Sequence, residues 1–280
     1  MKVLVFGKNG QVGKELNKYS QVIAFTKDEA DFIHKDKCLN IINEINPSVV
    51  INTVAKTNLD FCEKDRDNTE IVNTLTPIEI ALKCKNKNIP FIHISTDYVF
   101  DGKKTSPYYE DDQTNPVNYY GLTKSNAEKG IIKLNSNSII LRTSWVFSNS
   151  KSNFLSKIIK QIKNNKEVKV VGDQVGSPTS AIDLAKTCIY LSQLMKERKQ
   201  TSSIYHYSGY PETSFYDYAK EIKKYLLNKT KIIKIKSSDY PQIAIRPLYT
   251  YLNCDLIKND FGIKRPDWKK SLKEVLKSNQ

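Results

Sequence analysis

Tyr120 and Lys124 stand four residues apart in a stretch, Asn118–Leu134, that reads as helix. Residues i and i+4 share one helix face, about 6 Å apart at Cβ. An ammonium beside a phenol favours phenolate and pulls the hydroxyl below its usual pKa of ~10. A phenol tuned in this way exchanges a proton with a carbonyl or an alcohol near neutral pH, and the lysine can bond ribose hydroxyls. Alone, the spacing is a weak signal. The chain holds 16 tyrosines and is rich in lysine, and Tyr19, Tyr108, Tyr109 and Tyr119 offer other phenols. A second stretch strengthens it: the apolar run Phe91-Ile92-His93-Ile94 leads into Ser95-Thr96-Asp97. Thr96 is then expected at the C-terminal edge of a sheet. There it would hydrogen-bond a carbonyl oxygen while Tyr120 protonates it and a cofactor delivers hydride.

The element that would hold such a cofactor opens the chain. Val3 to Phe6 read as a buried strand, followed by Gly7, Gly10 and Gly13 and then a helical pattern. This is G-x-x-G-x-x-G, a relative of the dinucleotide fingerprint. The first glycine permits the turn, the second lets backbone approach a pyrophosphate, and the third lets helix pack on strand. The helix N-terminus offers free N–H groups to phosphates. NAD sites place a carboxylate about 20 residues further on. Here Phe25-Thr26-Lys27 ends the second strand, with Asp28 and Glu29 one or two positions late. Lys27, with Lys8, is expected to hold a 2′-phosphate, so NADPH is preferred and NADH tolerated.

Around these stretches strands and helices alternate. Strands are read at 21–25, 48–54, 89–95 and 138–143, and helices at 37–45, 68–86 and 118–134. The alternation implies an α/β fold: a Rossmann-like, doubly wound parallel sheet covered on both faces. After Trp145 regularity falls. Helices are read at 153–162, 181–194 and 215–227, short strands at 168–171 and 203–207, and a turn-rich loop at 172–179. A smaller, interleaved C-terminal substrate-binding lobe is expected to close over the sheet's C-terminal edge. The division is 1–147, with 178–200 packing onto it, against 148–177 and 201–280.

Composition narrows the class. With 280 residues, 39% hydrophobic and 26% charged, the chain can bury a large core. No apolar run approaches 18 residues, so no membrane partner is expected, and a cytoplasmic location is inferred. The net charge of +14 comes from lysines spread along the whole chain. That suits solvated faces and a cleft for phosphates better than a nucleic-acid surface. Five scattered cysteines read as reduced thiols. His34, His93 and His206 are far apart, so no metal site is expected, and His93 reads as a hydrogen-bonded core residue.

Together, the glycine spacing, Ser95-Thr96-Asp97-Tyr98-Val99-Phe100 and Tyr120-x-x-x-Lys124 resemble the extended short-chain dehydrogenase/reductase family. Within it, Gly7-Lys8-Asn9-Gly10-Gln11-Val12-Gly13, Leu141 to Phe147, Asp173 to Thr179 and Arg246-Pro247 resemble the dTDP-4-dehydrorhamnose reductase branch. That resemblance implies reduction of the 4-keto group of dTDP-4-dehydro-6-deoxy-L-mannose to dTDP-L-rhamnose. It implies Thr96, Tyr120 and Lys124 as catalytic. Gly10-Gln11-Val12, Asp31, Phe32, Ala55 and Thr57 would contact the cofactor. Thr96, Asp97 and Trp145 would contact the dTDP-sugar, and Arg246 suits its diphosphate.

Two departures from the branch stand out. Lys56 is a cation in a loop that is usually uncharged there. Some members bridge a dimer through Mg²⁺ held by glutamates. Glu15 stands at one such position but Ile182 at another, so a metal-linked dimer is not expected and monomer and homodimer both stay open. Tyr98 replaces the glutamate that a dehydratase carries after Thr-Asp. The alternatives left are a reductase of another 4-keto-6-deoxy nucleotide sugar and a non-catalytic NADP-binding regulatory subunit.

Overall fold

Val3–Phe6, four apolar residues without a polar member, forms β1, buried on both faces. The computed structural model describes residues 1–134, 137–150, 152–197 and 203–277. After β1 come α1 (Gln11–Leu16), β2 (Val22–Phe25), α2 (Lys35–Ile45), β3 (Val49–Asn52), α3 (Leu59–Lys64), α4 (Arg66–Glu70) and α5 (Thr76–Asn86). Next are β4 (Phe91–Thr96), α6 (Tyr119–Lys133), β5 (Ser138–Thr143), β6 (Val146–Phe147), α7 (Phe154–Asn164), β7 (Glu167–Val171), β8 (Val175–Gly176) and β9 (Thr179–Ser180). The chain ends with α8 (Ala181–Glu197), β10 (Ile204–His206), β11 (Thr213–Ser214), α9 (Phe215–Tyr225), β12 (Lys231–Ile235), α10 (Asp255–Phe261) and α11 (Trp268–Lys277).

The main sheet has the order β10-β5-β4-β3-β1-β2, with every pair parallel. Strand order reverses between β1 and β3, and open α/β sheets bind ligands in the crevice outside such a reversal. One face is covered by apolar residues of α1, α8 and α10, including Leu16, Leu184 and Ile257. The other is covered by α2, α5 and the end of α6 through Ile42, Ile80 and Ile131. A third cluster joins Phe147 to α7, β7, α9 and α11.

Three differences from the sequence reading have physical reasons. Ile204–His206, assigned by sequence to the lobe, is the edge strand of the main sheet beside β5. Three residues show no periodicity that says which sheet they join. The helix read over 68–86 is one run from Arg66 to Asn86 broken by a π turn at Ile71–Leu75. There Asn73 turns inward to bond Lys56 N, Lys56 O and Thr123 Oγ1. In the tail, β12 pairs parallel with β7, and α10 and α11 follow, all unread in the sequence.

The buried pair Arg142–Glu128 joins β5 to α6 with an Nη2–Oε2 distance of 2.7 Å. Arg142 also donates to the Glu110 carbonyl and to His206 Nε2, and Ser95 donates to Glu128. Removing one partner of a buried pair strands the other charge. Arg142→Met is therefore expected to cost about 3–5 kcal/mol of unfolding free energy. Urea denaturation checks this; a loss under about 1 kcal/mol would contradict it.

Candidate active site

The glycine turn is built by contact distances. Gly7 has φ +100°, and a Cβ there would lie 2.5 Å from Thr53 Oγ1. A Cβ on Gly13 would lie 2.0 Å from the Gly7 carbonyl oxygen, so only glycine lets α1 sit this close to the turn. Gly10 is different: its Cβ would meet only the Gly7 carbonyl oxygen, at 3.2 Å, leaving the turn bare on the side that faces a cavity. Gly10, Gln11 and Val12 line that cavity, which has a volume of about 470 Å³. The loop after β3 adds Ala55 and Thr57. The ends of β4 and β5 add Thr96, Asp97 and Thr143, and α6 adds Tyr120 and Lys124. Trp145, Phe215 and Tyr218 form the far wall.

Asn118 caps α6, its side chain accepting from Gly121 N at 2.8 Å. A Cβ on Gly121 would fall 2.1 Å from the Tyr98 carbonyl oxygen, so the first turn of α6 lies hard against the end of β4. That contact sets Tyr120 on the same cavity as Thr96, whose hydroxyl donates to Asp97 and accepts from Tyr98 N, and edge-on to Tyr98 with centroids 6.1 Å apart. One turn on, Lys124 donates to the Ile94 carbonyl at 2.7 Å and lies 2.8 Å from His93 Nε2.

Burial dominates the electrostatics. It raises the Tyr120 phenol above its ordinary range against a lowering by the Thr96 hydrogen bond, with Asp97 adding to the rise. It pulls Lys124 down to about 7, opposed by Glu128. It pushes Asp97 up to about 7 although Thr250 and Thr96 donate to the carboxyl. The expectation that Lys124 acidifies the phenol is thus not met in this state. The amine is directed to β4, and desolvation of the phenol prevails.

Among the described residues, the two buried side-chain polar atoms without a hydrogen-bond partner are Thr143 Oγ1 and Tyr218 Oη, and both residues line this cavity. Buried polar groups are normally satisfied, so two orphans in one cavity mark a place for a polar ligand.

Known proteins resemble this chain in sequence and in fold. The family model described as the RmlD substrate binding domain matches residues 1–280. The chain belongs to that family. It is 37% identical over 285 residues to the dTDP-4-dehydrorhamnose reductase of Burkholderia thailandensis, covering 96% of each chain. It is 35% identical over 280 residues to the spore coat polysaccharide biosynthesis protein SpsK of Bacillus subtilis, covering 98% of this chain and 96% of that one. The crystal structure of a Clostridium acetobutylicum dTDP-4-dehydrorhamnose reductase superposes with a TM-score of 0.94, 33% identity and full coverage of both chains. The Bacillus anthracis enzyme in complex with NADP gives 0.93 at 28% identity, covering 99% of this chain and 100% of that one.

In this RmlD-family chain, several residues singled out in the sequence lie away from the cavity. The Phe32 ring is in the core, edge-on to Phe6 at 5.6 Å, which leaves only its backbone for a ligand. Asp31 accepts from Ile33 N, and Lys27 stands exposed 3.7 Å from its carboxylate, at the end of β2 beside the glycine turn. Arg246 is held by Asp60, Gln242 and the Ala244 carbonyl. Its ion pair with Asp60 of α3 is invisible across 186 residues of sequence. Lys56 turns to Asp65 at 2.6 Å. Glu15 pairs with Lys18, and among the described residues no group of three or more His, Cys, Asp or Glu is placed to hold a metal ion.

Trp145 does line the cavity, in a left-handed backbone conformation with φ 45°, its ring stacked on Phe215 at 3.7 Å. Gln11 spends its side chain on the far wall: it donates to the Val146 carbonyl and accepts from Ser148 and Asn153. Sequence reasoning missed Thr143, Asn153, Phe215 and Tyr218. Of these, Thr143 lies in the Leu141 to Phe147 stretch that carries the resemblance, whereas Asn153, Phe215 and Tyr218 lie in helices read without a site role.

Asp97 yields a pH test. Its folded pKa of about 7 exceeds the unfolded value of ~3.9. The folded state therefore keeps a proton that the unfolded chain loses, and the carboxyl's contribution to stability falls as pH rises from about 4 to about 7. Asp97→Asn removes that titration. The unfolding free energy of the parent minus that of the variant should fall by roughly 4 kcal/mol across the window. A difference that stays flat with pH in urea titrations would contradict it.

Proposed function

We propose that this protein reduces the 4-keto group of dTDP-4-dehydro-6-deoxy-L-mannose to give dTDP-L-rhamnose, using NADPH by preference, in the synthesis of a cell-surface polysaccharide precursor. One observation carries the reading: Thr96, Tyr120 and Lys124 converge on a cavity whose other end is the bare side of the glycine turn. The named relatives and solved structures support the substrate, and the Bacillus anthracis structure supports the cofactor.

The residues present fit a dinucleotide. Gly10, Gln11 and Val12 offer backbone to a pyrophosphate without an intervening side chain, and Ala55 and Thr57 continue the same wall. When bound, a reduced nicotinamide supplies hydride. The chain supplies the proton and the geometry. Tyr120, kept protonated by burial, is a general acid in its reactive form at neutral pH. Thr96 steadies the carbonyl oxygen with a second hydrogen bond, and Lys124 bonds ribose hydroxyls. Asp97, Trp145 and the orphaned hydroxyls of Thr143 and Tyr218 bound the sugar side. Lys27 holds the 2′-phosphate, with Asp31 and the Phe32 backbone toward the adenosine. Arg246 reaches a diphosphate by exchanging its Asp60 partner.

Residues 1–147 with 178–200 serve the dinucleotide, and 148–177 with 201–280 the sugar nucleotide, save β10 in the main sheet. The protein acts in the cytoplasm as a monomer or homodimer. Its partner is a soluble dTDP-sugar, with no nucleic acid, membrane or bridging Mg²⁺ involved; among the described residues no helix is long and apolar enough to cross a membrane.

Mixing purified protein, NADPH and the dTDP-keto sugar should consume the reduced nicotinamide, read by its absorbance. Tyr120→Phe should lower kcat by about two orders of magnitude or more; near-normal turnover would reassign the acid. Lys27→Glu should shift the NADPH-to-NADH ratio of kcat/KM toward NADH by about tenfold or more, as loss of a charged hydrogen bond does. An unchanged ratio would remove Lys27 from the site.

A further inference from the structure

His93 is fully buried on β4 between two polar partners. Its Nδ1 is 3.1 Å from Asn52 Nδ2 on β3, and its Nε2 is 2.8 Å from Lys124 Nζ on α6. The backbone N–H of Val54 donates to Asn52 Oδ1 at 2.8 Å. A backbone N–H can only donate, so the amide oxygen of Asn52 faces Val54 and its NH₂ faces the ring. His93 Nδ1 must then accept, and a neutral imidazole carries its one proton on Nε2. Burial holds this ring well below the usual imidazole range, so it is neutral. Nε2–H therefore points at Lys124 Nζ. An ammonium has three donors and no acceptor. The 2.8 Å contact is a hydrogen bond only if Nζ is an uncharged amine that takes the Nε2 proton on its lone pair and gives one of its own to Ile94.

We propose, on the reductase reading above, that His93 is a positioning residue that stores Lys124 as a neutral amine in the resting protein, and that Lys124 takes one proton from solvent when NADPH binds. Amine plus proton gives ammonium, which no longer has the lone pair that accepted from His93 and turns its N–H groups to ribose hydroxyls. The phenol gains a neighbouring cation only in the loaded site, where a developing phenolate needs it. Burial acts in the same direction, drawing Lys124 down to about 7.

The other groups around Lys124 leave this assignment standing. Glu128 on α6 is committed to Arg142 of β5 and to Ser95. Tyr120, on the same helix, is held protonated by burial, and Asp97 at the end of β4 is bonded to Thr250 and Thr96. From α3, Cys62 is raised by burial and Glu63 accepts from Tyr119 N. Glu70 of α4 accepts from the Tyr119 hydroxyl. The π turn presents Asn73, which is uncharged.

Calorimetric titration of NADPH into the protein at pH 8, in phosphate and in Tris, reads proton uptake from the buffer dependence of the enthalpy. At that pH the cofactor phosphates are ionised and have no proton to give up. About one proton per NADPH is expected for the parent. Asn52→Asp places a carboxylate on His93 Nδ1, moves the ring proton there and turns Nε2 into an acceptor for ammonium. Uptake should then fall below about one fifth of a proton. His93→Gln, which can turn its oxygen to Lys124, should do the same. No uptake in the parent, or equal uptake in the parent and both variants, would overturn the proposal. The measurement needs no turnover, so uptake without reduction of the dTDP-sugar would sink the reductase reading alone.

Discussion

The Lys124 amine meets the Ile94 carbonyl at 2.7 Å and His93 at 2.8 Å, and α6 lies on the sheet where that reach is satisfied. A turn earlier Gly121 touches the end of β4 with no room for a Cβ. The helix is thus pinned at two points. Its buried positions are Gly121, Thr123, Lys124, Ser125, Ala127, Glu128 and Ile131, mostly small or polar. Hydrogen bonds rather than apolar area set its register. A slip by one residue would leave several buried polar groups unpaired, each costing about 1–3 kcal/mol. Tyr120 inherits its place over Thr96 from this arrangement.

The same burial sets the chemistry. Far from water, the neutral form of each ionisable group is favoured: phenol at Tyr120, carboxylic acid at Asp97, amine at Lys124, imidazole at His93. A resting site with few net charges suits a protein that waits for an anionic dinucleotide and an anionic sugar nucleotide. Charge enters with the ligands, and where these exclude water each interaction then made is larger than it would be in water. Gln11 links the two ends of the cavity by bonding the glycine turn to the segment after β6.

Much of this was legible in the residues. The apolar run at Val3–Phe6 with three spaced glycines, the strand ending in Ser95-Thr96-Asp97, and the Tyr120/Lys124 spacing all fall where local pattern placed them, because each is a short-range signal. What escaped was long-range. The spacing of Tyr120 and Lys124 suggests a cation on a phenol, whereas Lys124 is engaged by His93, 31 residues away. Arg246 suited a diphosphate in sequence, and its carboxylate partner here is Asp60, 186 residues away. Phe32 looked like a cofactor contact and its ring fills the core beside Phe6. β12 and α11 carry readable periodicity in Lys231–Ile235 and Trp268–Lys277, but the lysine-rich tail masked it.

A crystal structure with NADP⁺ and dTDP-L-rhamnose bound together tests the central claim most directly. The account predicts the sugar C4 hydroxyl within hydrogen-bond distance, about 2.6–3.2 Å, of both Tyr120 Oη and Thr96 Oγ1, with the nicotinamide ring on its other side. A C4 hydroxyl directed away from those two oxygens, with another acid beside it, would contradict it.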